Sequence, residues 1–76
     1  MASKSIIRGF AVAVRQYRNQ CGLTQEGLAF EAGMHRNFIS GLERGLKNPS
    51  LVTIESLAKA FGIAPSELVG RAERVK

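Results

Sequence analysis

Apolar residues recur every three or four positions along most of this chain, the period of a helix that buries one face. Ile7, Phe10, Val14, Tyr17 and Cys21 trace such a face and predict an amphipathic helix from Ser5 to about Gln20, ended at Gly22. Its opposite face carries Arg8, Arg15 and Arg18, while Cys21 reads as a small half-buried hydrophobe at the helix end. Leu28, Ala29 and Ala32 supply the inner face of a short second helix, capped by Thr24 and broken at Gly33. A third helix is expected from about His35 to Arg44, with Ile39 and Leu42 turned inward. After the Ser50 cap, Leu51, Ile54, Leu57, Ala58 and Phe61 line one face of a fourth helix, closed by Gly62. Pro65 suits the first position of a fifth, with Ile63 and Leu68 at the spacing of a hydrophobic staple, but Ala64 is a poor cap and fraying is expected there. Residues 1–4 and 71–76 read as tails, leaving one domain over 5–70.

Within that pattern, residues 25–44 have the layout of a helix-turn-helix. Ala29 allows two backbones to approach, Gly33 suits a positive-φ turn, and Ile39 with Leu42 anchor the second helix of the motif. Its outward positions then carry Arg36, Asn37 and Ser40, side chains able to address base edges and phosphates.

Composition narrows the partner. The 76 residues contain 11 Lys and Arg against 6 acids, giving a net charge of +5, and no Asp. A polyanion is favoured. The single Cys21 cannot form an internal disulfide, which is compatible with a reducing cytoplasm. Lys4, Arg8 and Arg15 interrupt the apolar stretches near the start, so neither a secretory signal nor a membrane span is expected. One histidine without neighbouring Cys or acidic ligands makes no metal site, and one Cys, one His and no Asp make no catalytic triad. No enzyme activity, cofactor or small-molecule ligand is expected.

The runs GLTQEGLA (Gly22 to Ala29), ISGLERG (Ile39 to Gly45), NPSLVTIESLAKAFG (Asn48 to Gly62) and PSEL (Pro65 to Leu68), in this order, resemble the Cro and phage-repressor type of helix-turn-helix regulator, also called XRE-like. The resemblance implies an all-α fold, a compact five-helix bundle, binding operator DNA as a homodimer. It also implies that Gln25 bonds a phosphate or a neighbouring side chain, and that His35, Arg36 and Asn37 meet the bases. Arg44, Lys47 and Asn48 would touch the DNA backbone, and Arg18 would pair with Glu43. Two departures from the family pattern stand out, His35 in place of a small polar cap and Gly27 in place of an acidic or polar residue.

On chemistry alone, the Arg36 guanidinium can donate two parallel hydrogen bonds to guanine O6 and N7, and it is the main candidate for base contact. Asn37 could read adenine or bond local backbone groups, Ser40 could meet a base or a phosphate, and Phe38 could pack on a thymine methyl or on apolar neighbours. Phe61, Leu68 and Val69 are candidates for a dimer interface that would bring two third helices to half-sites about one helical turn apart. The expected function is a sequence-specific regulator of transcription on a palindromic operator in double-stranded DNA. The short chain and the ISGLERG run look similar to restriction-modification controller proteins. A small phage repressor, an antitoxin-type protein or a helical protein-interaction module are the alternatives.

Overall fold

The computed structural model describes residues 2–75. Five helices follow one another: α1 (Ala2–Gln20), α2 (Gln25–Ala32), α3 (Arg36–Glu43), α4 (Leu51–Phe61) and α5 (Pro65–Arg74). No strand occurs among the described residues.

Side chains start these helices by satisfying backbone donors that a first turn leaves unpaired. The Thr24 hydroxyl accepts from the Gly27 N–H at 2.9 Å, and the Ser50 hydroxyl accepts from the Thr53 N–H at 3.1 Å. Ala64 has no acceptor to offer α5, yet the Glu67 carboxylate reaches back to accept its N–H at 3.1 Å. Half of a capping box is thereby supplied from inside the helix, and α5 begins cleanly at Pro65 instead of fraying. Between α2 and α3, Gly33 sits at φ 68°, a conformation strained for any residue with a Cβ. The Met34 N–H then returns to the Ala29 carbonyl at 2.8 Å and closes the turn.

Both terminal helices exceed the expectation. α1 already runs at Ala2 and α5 continues to Arg74, so residues 2–4 and 71–74 are helical and not tails. Met1 and Lys76, the outer ends of those expected tails, lie outside the described residues. The cause is the packing of α1 on α5. Gly9 lets the two backbones approach so closely that a Cβ at this position would run into the carbonyl oxygen of Ala72, itself buried. Further along the same contact, the Arg71 guanidinium lies 4.1 Å from the centroid of the Tyr17 ring.

The core joins all five helices through the fully buried Val14, Leu28, Ile39, Leu42, Leu57 and Leu68. Burying each such side chain stabilises the fold by about 1.5 to 3 kcal/mol. Phe61 stacks on Tyr17 with ring centroids 5.5 Å apart. Two expectations are corrected here. Phe61 and Leu68, assigned to a dimer interface, are only 8% and 0% exposed, because their faces of α4 and α5 close the chain's own core. Cys21 is exposed, since it falls just beyond the last turn of α1, where the chain has left the inner face.

Candidate nucleic-acid interface

α3 has two faces with opposite duties. Its inner face, Ile39, Leu42 and Glu43, is buried. Glu43 is the one buried charged residue among the described residues, and three side chains account for it. Arg18 Nε donates to Oε2 at 2.6 Å and Arg18 Nη2 donates to Oε1 at 3.0 Å, the two-pronged geometry a guanidinium offers a carboxylate. Gln25 Nε2 donates to Oε1 at 3.1 Å from the start of α2, and Arg15 Nε approaches the same oxygen at 3.4 Å from α1. Arg18 also donates to the Leu23 carbonyl at 2.9 Å.

Burial pushes the Glu43 carboxyl up, but hydrogen bonds from Arg18, Gln25 and Arg15 together with the Arg18 charge outweigh it, so the group ends below the usual glutamate value. The hydrogen bond to Glu43 raises Arg18 further above its ordinary range, against a smaller opposing effect of burial. Both groups stay ionised at neutral pH. α1, α2 and α3 therefore converge on one buried carboxylate, which fixes how α3 is presented. Sequence reasoning found the Arg18 and Glu43 pairing only through family resemblance. The outward position of Arg15 on α1 gives no sign of its contact with Glu43, and nothing in the local pattern shows Gln25 turning to the same oxygen.

The outer face of α3 is exposed at His35, Arg36 and Asn37. His35 caps the helix with Nδ1, which accepts from the Asn37 N–H at 3.1 Å, leaving Nε2–H directed outward as a donor. Among the described residues the Arg36 guanidinium and the Asn37 side-chain amide make no hydrogen bond, so their donors and acceptors are free. Ser40 is half-buried on the same side. Phe38 is half-buried as well and packs against the core, the second of the two roles open to it.

Beyond α3, Arg44, Lys47 and Asn48 are all exposed. Arg44 Nε donates to the Ser40 carbonyl at 3.4 Å, so its side chain lies back along α3. The methylene stem of Lys47 lies over Gly41, where an added Cβ would come within 2.9 Å of it, and the ammonium is thereby held beside the helix. Of the side chains expected at bases or phosphates, the structure brings His35, Arg36, Asn37, Ser40, Arg44 and Lys47 onto or beside the outer edge of α3. Gln25 is turned inward to Glu43. Among the described residues, no group of His, Cys and acidic side chains could hold a metal. Among the described residues, no helix is long and apolar enough to cross a membrane.

Residues 14–68 match the helix-turn-helix family HTH_3. The control protein C.BamHI of Bacillus amyloliquefaciens is 46% identical over 61 residues, covering 79% of this chain and 75% of that protein. The chain belongs to the helix-turn-helix family. The control protein C.SmaI of Serratia marcescens is similar at 43% identity over 58 residues, 76% of this chain and 69% of its own. In three dimensions this helix-turn-helix protein superposes on the restriction-modification controller protein C.AhdI of Aeromonas hydrophila with a TM-score of 0.79. The sequence identity is 45%, and the match covers 82% of this chain and 94% of that one. The family is one of DNA-binding transcription regulators and not of enzymes. That fits a site with donors and positive charge on an exposed edge.

Proposed function

We propose that this helix-turn-helix protein is a restriction-modification controller, or a small repressor of the same build, that binds a palindromic operator as a homodimer. The observation that carries the reading is the exposed edge of α3, with the free donors of Arg36 and Asn37, braced from behind by the Glu43 cluster. A recognition helix so braced loses little freedom on entering the major groove, so its contacts are not spent on ordering it. Arg36 contacts guanine, Asn37 contacts adenine, the His35 Nε2–H and Ser40 hydroxyl reach a base or a phosphate, and Arg44, Lys47 and Asn48 hold the backbone.

One α3 contacts too few base pairs to define an operator, and a second copy doubles the count. With Phe61 and Leu68 occupied inside the chain, the subunit contact falls to other apolar groups. Leu51 and Val52 are 84% and 69% exposed on the first turn of α4. They follow Pro49, which with Ile6, Ile54 and the half-buried Val69 lines an apolar groove of about 170 Å³. Exposed apolar side chains and an apolar groove next to one another suit a two-fold contact in which each copy fills the other. A reducing cytoplasm, where the operator DNA resides, is the compartment proposed.

Selection of bound duplexes from a random pool tests this reading. Recovery of an inverted repeat with half-sites about one helical turn apart is the expected result. Recovery of unrelated sequences would overturn sequence-specific control, and a single unrepeated half-site would overturn the dimer.

A further inference from the structure

The basic face of α1 does more than brace α3. Arg18 is consumed by Glu43 and Arg15 is shared with it, but Arg8 is exposed and has no ion pair among the described residues. It stands on one wall of a groove of about 470 Å³, with Ile7, Ala11 and Val12 on the α1 side and Arg44 and Gly45 on the other. The one acid lining it, Glu43, is already neutralised by Arg18 and has a fully buried side chain. The groove is therefore positive, with an apolar floor between two guanidinium groups.

Its place relative to α3 decides what fits. Arg36, Ser40 and Arg44 fall four residues apart and so lie on one stripe of the helix. From Arg36 to Arg44 the chain advances about 12 Å, matching the roughly 12 Å width of the major groove. With Arg36 at the base edges, the far end of α3 stands at the groove's wall, and that wall is phosphate.

Resting on the DNA-binding reading above, we propose that the cleft between α1 and the end of α3 seats a backbone phosphate of the DNA between Arg8 and Arg44. The adjoining deoxyribose lies on Ile7, Ala11 and Val12. Arg8 thus extends the backbone contact from the turn after α3 onto the first helix, and adds affinity without reading sequence.

The test is the salt dependence of binding for the wild type, Arg8→Gln, Arg8→Lys and the charge-matched Lys59→Gln, whose site is in a different groove between α2 and α4. Each is measured on a mixed-sequence duplex and on the duplex recovered by selection. Arg8→Gln is expected to lower the slope of log K against log salt by about 0.9 per bound chain, which is about fivefold in affinity at physiological salt, equally on both duplexes. Arg8→Lys should keep the wild-type slope, and Lys59→Gln should leave it unchanged. A wild-type slope for Arg8→Gln overturns the phosphate seat, as does an equal loss with Lys59→Gln, which would mark an effect of net charge alone. In either of those cases a wild type that still prefers the selected duplex leaves the regulator reading standing. If the wild type binds neither duplex, both fall.

Discussion

The two faces of α3 differ in how their polar groups are spent. On the inner face, every hydrogen-bonding atom of Glu43 is engaged by Arg18, Gln25 or Arg15, at distances down to 2.6 Å. On the outer face, the Arg36 guanidinium and the Asn37 amide make no hydrogen bond among the described residues, while the His35 ring caps the helix and Arg44 Nε donates to the Ser40 carbonyl. The contrast shows a division of labour within eight residues. The side chains proposed to meet DNA are left unsatisfied, and the rigidity that makes this useful comes from a buried carboxylate about two turns away. Stability and recognition are therefore separable by mutation.

Breaking the inner face has the largest expected effect. Glu43→Ala strands the Arg18 guanidinium, only 14% exposed, without its partner, and a loss of about 3 to 5 kcal/mol in unfolding free energy is expected by denaturant titration. A loss below 1 kcal/mol would mean that α3 is held by apolar packing alone.

A second break lies away from the carboxylate. Gly9→Ala puts a methyl group into the Ala72 carbonyl and must push α1 from α5, for about 1 to 3 kcal/mol by the same measurement. The folded fraction of this variant should keep the wild-type order of preference among duplexes, which sharpens the separation of brace from reading edge.

The smallest effect is that of acid. Glu43 titrates below its ordinary value in the folded chain, so its contribution is complete above about pH 5 and is lost as pH falls through the ordinary glutamate value, 4.5, toward the folded one. Thermal unfolding of the wild type should show a steeper decline below pH 4.5 than Glu43→Gln, in which that ionisation is absent. Parallel curves would contradict the assigned role of the charge.

Those separable parts were unequally legible in the sequence. The limits of α2 and α4 follow from local chemistry, because Thr24 and Ser50 offer hydroxyls to their own first turns and Gly33 accepts the left-handed turn. The outer ends of α1 and α5 do not, since their helicity depends on Gly9 meeting Ala72 across the molecule. Periodicity marked Phe61 and staple spacing marked Leu68 as apolar contacts, both buried, but an apolar face looks the same whether a partner or the chain's own core covers it. Ala64 misled for a simpler reason: the missing acceptor is supplied by Glu67, three residues later. At the interface, the exposure of Arg36 and Asn37 followed from the inward spacing of Ile39 and Leu42. The convergence of Arg15 and Gln25 on Glu43 joins three helices and has no local signature.

The most direct measurement is a base-by-base substitution matrix on the selected operator, for the wild type and for Arg36→Ala. Loss of preference at one base pair per half-site, worth about 1 to 3 kcal/mol of discrimination, is expected with the remaining positions unchanged and the melting temperature preserved. An Arg36→Ala protein that keeps every base preference of the wild type would contradict a reading edge on α3.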